Sequence, residues 1–453
     1  SRGLGDVYKR QVIGPSSYKW IVSYLAITES GSVAVPIDAS LPAADICELL
    51  DRASVRMLIF DEARSDVAEA AAKSCHDINV YVSMNSTEHC PQVLSFNGLI
   101  DDNRGSYESA VAEDALCTIM FTSGTTGKSK GVMLTQNNLA ENATCLDMKI
   151  GPHTVILSVL PIHHAYCLSM DILKGISLGS VICINDSIMR MAKNIQLFTP
   201  DMILMVPLMI ETFARKLEEV RAAGLPAEPV RKKMFGERLH TICSGGAYLN
   251  PDYVDLFAEF GITILQGYGM TECSPVISTN LSWDIRKNSV GKLMPNCEAK
   301  TVDGELFVRG TSVMQGYYKM PKETEETLSD GWLHTGDLGY VDEDGYIYLT
   351  GRRKNLIITK NGENVSPEEL ENALSVNHLI KEIIVRESEG VIEAEIFPDR
   401  EYAQNTGIAD IRPALQALID EYNVNVPAYK RIYSLKVRES EFEKTASRKI
   451  KRS

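Results

Sequence analysis

A loop of hydroxyls, glycines and lysines set between two apolar runs constrains this chain more than any other stretch. Residues 116–121 (LCTIMF) are mostly apolar, with β-branched and aromatic members, which predicts a short buried strand. They lead into Thr122, Ser123, Gly124, Thr125, Thr126, Gly127, Lys128, Ser129, Lys130 and Gly131. Glycines let backbone N–H groups come close to a ligand, hydroxyls donate hydrogen bonds, and lysines supply positive charge. Such a loop can wrap an anion. A flexible linker has a similar composition, but linkers do not usually run straight into a resumed apolar segment such as Val132-Met133-Leu134.

The Walker-A pattern is the obvious rival, and it fails here. It requires a glycine five positions before Gly127, where this chain has Thr122. The bulk properties narrow the reading further. A length of 453 residues favours a large domain plus a smaller one. A formal net charge of −14 argues against a general nucleic-acid binder. Ten cysteines are scattered with no C-x-x-C pair, the pattern of reduced thiols in a cytoplasmic protein rather than of a disulfide framework or zinc site. No apolar run is long enough to span a bilayer; the longest, such as 202–210, contains Pro207.

Residues 1–11 (SRGLGDVYKRQ) read as a foreign, adaptor-like string and are set aside from the fold. From Val12 onward, apolar segments at helical spacing (18–27, 46–53) alternate with short β-branched runs (33–37, 55–60). That alternation predicts an α/β domain with largely parallel sheets. A β-rich segment follows, in which 303–308 and 316–318 read as a hairpin region and 342–345 as a turn. Beyond Lys354 the pattern changes to a small α+β unit. There Ser366-Pro367-Glu368-Glu369 reads as a capping box, followed by a helix with Leu370, Ala373 and Leu374 on one face. The expected division is therefore 1–11 as artefact, 12–352 as the large N-terminal domain and 353–453 as the small C-terminal one.

Several motifs in fixed order carry a family resemblance. The loop T-S-G-T-T-G-x-x-K-G resembles, at every fixed position, the phosphate loop of the adenylate-forming superfamily of acyl-CoA synthetases, luciferases and peptide-synthetase adenylation domains. GSVAVPID (31–38), PIHH (161–164), SGGA (244–247), GYGMTE (267–272), HTGDLGY (334–340) and the basic tail EKTASRKIKR (443–452) match its other motifs. The superfamily's first core motif has no counterpart, which implies a start that lies upstream of this sequence.

What the resemblance implies can be stated residue by residue. Thr122, Ser123, Gly124, Thr125, Thr126 and Lys130 would hold the phosphates of ATP. Gly245, Gly246, Ala247, Gly267, Tyr268 and Gly269 would form the adenine slot, with Tyr268 against the base. Thr271 would contact the α-phosphate and Glu272 would help hold Mg²⁺, a cation that takes one or two protein carboxylates and fills its remaining sites with phosphate and water. Asp337 and Arg352 would bind the ribose, since a carboxylate can accept from both hydroxyls of a diol. His164 would close the acyl pocket; with no carboxylate or cysteine at ligand spacing, the pair His163-His164 is not a metal site. Lys449 would be the catalytic lysine, with Lys444 as the fallback, although Glu443 and Arg448 replace the family's proline and glycine there. Lys354 would be the hinge of a mobile small domain, and Gly362 would lie at the thiol channel.

The activity so implied is ATP-dependent activation of a carboxylic acid, a medium- or long-chain fatty acid, to an acyl adenylate. Transfer to coenzyme A would follow. The alternatives are loading of an acyl carrier protein and a nucleotide-binding homologue without turnover. No nucleic-acid partner is expected, and peripheral membrane contact is compatible with the reading.

Overall fold

The computed structural model describes residues 8–88, 92–122, 129–359, 362–444 and 450–452. The chain divides into two compact units, 1–299 with 308–333, and 300–307 with 334–453. The expected boundary at Arg352 falls inside the second of these units. The fold class is the one expected, a large N-terminal α/β part with a β-rich segment and a smaller α+β C-terminal part.

In the first unit an eight-stranded sheet runs in the order Gly316–Tyr317, Lys130–Thr135, Leu116–Thr122, Val33–Pro36, Lys9–Ile13, Val55–Phe60, Val80–Ser83, Leu94–Ser95. From Leu116–Thr122 through Leu94–Ser95 the pairing is parallel, with the helices Tyr18–Glu29, Ala43–Ala53 and Ser65–Ser74 in the crossovers. A parallel strand is covered on both faces, so it reads as an unbroken apolar run rather than an alternating one. Val33, Ala34, Val35 and Pro36 are all buried, as that geometry requires. A second sheet of seven strands is parallel from Val181–Ile184 through Val155–Ser158, Met202–Met205 and Thr241–Ser244 to Thr263–Gly269, then turns antiparallel.

Several local expectations need correction. Lys9, Arg10 and Gln11, set aside as part of a foreign string, form the strand Lys9–Ile13 between two others, with Gln11 fully buried. The stretch 303–308 does not pair with 316–318. Its hairpin partner is Cys297–Val302, joined by Asp303 and Gly304 at φ 49° and 80°, the two positive values that a tight two-residue turn requires. Gly316–Tyr317 instead extends the eight-stranded sheet beside Lys130–Thr135. The apolar run 202–210 divides into the strand Met202–Met205 and the start of a helix that Pro207 opens, and needs no correction.

In the second unit, Ile380–Ser388, Val391–Pro398 and Ser434–Val437 form a sheet, with the helices Pro367–Ser375 and Ile411–Val424 sharing its apolar core. Leu370 and Leu374 are buried as expected, but Ala373 is exposed. The capping box at Ser366 does not form. Its hydroxyl donates to Glu368 Oε2 at 3.0 Å and accepts no hydrogen bond from the helix's backbone. The capping box that does form is at Thr135 and Asn138. No helix among the described residues is long and apolar enough to cross a membrane.

Candidate functional site

The anion loop begins where two antiparallel strands meet, with Thr122 opposite Lys130. Ser123, Gly124, Thr125 and Thr126 lie outside the described residues. At the loop's foot Arg52 donates to Ser129 O at 2.5 Å, and Thr122 Oγ1 to Lys130 O at 3.5 Å. The Lys130 ammonium sits 4.6 Å from the centre of the Tyr317 ring. The Tyr317 hydroxyl in turn donates to Glu272 Oε1 at 2.8 Å, and both side chains are buried. The structure thus gathers the expected phosphate lysine and the expected metal carboxylate around one phenol. Burial and the Glu272 carboxylate push the Tyr317 hydroxyl above its ordinary pKa, so it stays a donor.

Glu272 lies in the short helical turn Thr271–Cys273 that follows the strand Thr263–Gly269; Thr271 is half-buried. Asn142, fully buried on the helix Gln136–Thr144, braces this turn. Its amide donates to Cys273 O at 3.2 Å and Val276 O at 2.8 Å and accepts from Val276 N at 3.1 Å. A buried amide earns its place only when its hydrogen bonds are satisfied, and this one is. The only hint of Asn142 in the sequence is a polar residue one helical turn from Asn138.

The glycines expected at the adenine slot do come together. The strands Thr241–Ser244 and Thr263–Gly269 are parallel neighbours, so Gly245 and Gly246 emerge beside Gly267, Tyr268 and Gly269. All five line a cavity of about 110 Å³, whose other walls include Tyr166, Met170, Met202 and Met294. At three of the four glycines a side chain would crowd its neighbours. A Cβ on Gly245 would stand 3.3 Å from the Tyr166 ring, one on Gly267 3.2 Å from Ser278 O, and one on Gly269 1.9 Å from Pro275 O. Ala247 is exposed and does not line the cavity. The Ser244 hydroxyl, next to Gly245, is buried without a hydrogen-bond partner among the described residues.

His164, expected to close the acyl pocket, is exposed and does not line this cavity. Tyr166, two residues on, does. The turn that bonds His164 N to Pro161 O starts a helical stretch, and the side chains of Tyr166 and Met170, four residues apart, share its inner face. His163 lies 3.8 Å from Asp38 with its ring 4.3 Å from that of His164. Burial first, and His164 second, push its pKa down to about 3 while Asp38 pulls the other way, so it is neutral near pH 7.

The remaining expected residues lie in the second unit. Asp337 and Arg352 face each other across two antiparallel strands, Oδ1 to Nε 2.7 Å, with Asp337 buried and Arg352 half-exposed. Thr335 Oγ1 accepts from Asp337 N at 3.1 Å and donates to Leu306 O at 2.7 Å, which fixes the turn that presents the carboxylate. Lys354 is exposed, its ammonium pKa lowered by partial burial and by Arg352. Gly362 ends a hairpin loop at φ 81°, a conformation that favours glycine. Lys449 and Arg448 lie outside the described residues. Lys444 is held by Glu382 at 2.5 Å and by Glu441 at 2.8 Å.

The donor set at Glu272 suits Mg²⁺, a hard ion that prefers oxygen ligands. Among the described residues no three of His, Cys, Asp and Glu group closely enough to hold a metal by themselves. An ion at Glu272 would therefore draw its other ligands from phosphate and water.

Comparison with known proteins places this geometry in context. Residues 5–318 match the AMP-binding enzyme family, and residues 354–453 match the AMP-binding enzyme C-terminal domain. A long-chain-fatty-acid–CoA ligase of Salmonella typhimurium is 28% identical over 386 residues, covering 79% of this chain and 65% of that protein. A 4-coumarate–CoA ligase-like protein of Oryza sativa subsp. japonica is 30% identical over 401 residues, covering 80% and 67%. The chain thus spans about two thirds of the length of the curated relatives it matches. Among solved structures, an anthranilate CoA ligase in complex with anthranoyl-AMP superposes with a TM-score of 0.84 at 22% identity, covering 98% of this chain and 86% of that one. An o-succinylbenzoate coenzyme A synthetase from Bacillus subtilis, in complex with ATP and magnesium ion, gives a TM-score of 0.76 at 25% identity, covering 98% and 88%. From the anion loop to the small C-terminal unit, this chain belongs to the AMP-binding enzyme family.

Proposed function

We propose that the protein is an acid:thiol ligase. It activates a carboxylic acid with ATP to an acyl adenylate, releasing pyrophosphate, then transfers the acyl group to coenzyme A and releases AMP. The observation that carries this reading is the meeting, in one unit, of Lys130, Tyr317 and Glu272 with a glycine-walled apolar cavity. Lys130 and the hydroxyls of the loop from Thr122 to Thr126 hold the departing phosphates, and Thr271 donates to the α-phosphate. Fixed donors and positive charge act where negative charge develops in the transition state. A Mg²⁺ ion bound at Glu272 supplies further charge neutralisation at the phosphates. Tyr268 lies against the base, Asp337 and Arg352 hold the ribose, and Lys449 meets the forming acyl phosphate. Tyr166 lines the glycine-walled cavity, and His164 closes the acyl pocket. The segments 12–352 and 353–453 act as two bodies that turn about Lys354, exchanging Lys449 for the Gly362 segment between the two chemical steps.

The same cavity bears on the acid. Its walls are largely apolar, with methionines that repack around irregular tails. Pyrophosphate release should be measured across straight-chain acids from butanoate to palmitate, with coenzyme A or a carrier protein as acceptor. The expected result is pyrophosphate release with medium- or long-chain acids, completed to thioester with coenzyme A as acceptor. No release with any acid would overturn the ligase reading.

The ribose pair makes a separate prediction. Because Asp337 and Arg352 are bonded to one another, their losses should not add. Asp337→Ala and Arg352→Ala should each weaken apparent ATP affinity, and the double variant should be no worse than the poorer single one. Fully multiplicative losses would separate the two residues functionally.

A further inference from the structure

We propose that Tyr317 is a positioning residue for the phosphate end of the site, setting Glu272 through its hydroxyl and Lys130 through its ring. The proposal rests on the nucleotide reading above. Tyr317 is 4% exposed and Glu272 8%, so the 2.8 Å hydrogen bond between them is shielded from water and fixes the carboxylate's rotation. The Lys130 ammonium, 4.6 Å from the ring centre, is held by attraction to the electron-rich face. One side chain therefore sets the orientation of a carboxylate and the place of an ammonium that it separates.

The backbone around Tyr317 is built to hold it. Gly316 and Tyr317 pair with Met133 and Val132 on the strand that begins at Lys130, and Tyr318 N donates to Gly131 O at 2.8 Å. Tyr317 N donates to Thr324 Oγ1 at 2.9 Å. A Cβ on Gly316 would lie 2.6 Å from Thr324 Cγ2, at a φ of 137°, so only glycine lets the strand close this tightly. Three residues before Tyr317, Met314 N donates to Glu272 O at 2.9 Å. The segment 314–317 thus grips Glu272 by its backbone at one end and its carboxylate at the other. A buried tyrosine with no further role would need only some acceptor for its hydroxyl; here that acceptor is the residue expected at the metal.

Outer-shell partners of metal-binding carboxylates typically change metal affinity about 10–100-fold when removed. Tyr317→Phe removes the hydroxyl and keeps the ring over which Lys130 sits. Mn²⁺ binding to the full chain in the presence of a non-hydrolysable ATP analogue, followed by electron paramagnetic resonance, reads the effect without turnover. The expected result is about tenfold or greater weakening of Mn²⁺ binding in Tyr317→Phe, with AMP affinity and unfolding midpoint close to those of the unchanged protein. Glu272→Gln should weaken Mn²⁺ at least as much, and the double variant should match Glu272→Gln alone. Should Tyr317→Phe fold poorly, Tyr317→His at neutral pH, which retains a ring donor, supplies the comparison and should recover part of the Mn²⁺ affinity. If Glu272→Gln weakens Mn²⁺ and Tyr317→Phe does not, the positioning role is overturned while the site reading stands. If neither changes Mn²⁺ binding, the nucleotide reading fails and takes the proposal with it.

Discussion

Lys449→Ala is expected to lose acyl-adenylate formation by roughly 10²–10³-fold while still making thioester from preformed acyl adenylate and coenzyme A at a near-normal rate. The expectation follows from a lysine that stabilises one transition state and is withdrawn before the next. Lys449 itself lies outside the described residues, but its rival does not. The Lys444 ammonium is tied to Glu382, a carboxylate only 8% exposed on its side chain, and to Glu441, which together raise its pKa against the effect of burial. A lysine so paired must break two charged contacts to reach a substrate. Lys444→Ala should therefore lose stability rather than one half-reaction, because Glu382 would be left buried without its cation. Arg448→Gly belongs beside both, since that arginine stands where the family pattern has glycine. Equal losses in both half-reactions of Lys449→Ala would overturn the alternating use of the small domain. A selective loss in Lys444→Ala would shift the catalytic assignment to that residue.

Gly269→Ala should be the most damaging single methyl in the first unit's site. The added Cβ would stand 1.9 Å from Pro275 O and 2.7 Å from Pro275 C, which are backbone atoms with no rotamer to change. Nor can that backbone retreat cheaply: Pro275 O accepts from Met270 N at 2.9 Å, and Asn142 holds the next carbonyl, Val276 O, at 2.8 Å. Overpacking of this kind costs on the order of 3 kcal/mol or more. A fall of several degrees in the unfolding midpoint should accompany loss of nucleotide binding, because Gly269 also lines the cavity. Gly151→Ala is the control, since a Cβ there meets nothing within 4 Å. It should lie within about 0.5 kcal/mol of the unchanged protein. A Gly269→Ala variant that melts with the control would show that the turn at Pro275 relaxes freely.

The alternation of helices and short β-branched runs was legible without coordinates, and so were the glycine-rich turns that end strands. Both are local: they depend on residues within a few positions of one another, and periodicity or spacing reports them directly. The hairpin turn at 342–345 is of the same kind, whereas the pairing of Asp337 with Arg352 across it came from the structure. Where local reading failed, a competing partner decided the outcome. Ser366 gave its hydroxyl to Glu368, and 316–318 left its expected hairpin for the edge of the large sheet.

What the sequence determined by itself is the class of fold, the order of its motifs and the glycines, hydroxyls and charges available to a nucleotide. Only the tertiary structure decided which side chains organise them. Lys9–Ile13 became an interior strand because two neighbouring strands offered it a parallel ladder on each side. Tyr166 reached the cavity because its face of a helical stretch points inward. Asn142 meets Val276, 134 residues away, through two hydrogen bonds, and Tyr317 meets Glu272, 45 residues away, through one. Contacts across such distances in the chain leave no period or spacing in the sequence; they exist only once the sheets have packed and the buried polar groups have found the partners that burial demands.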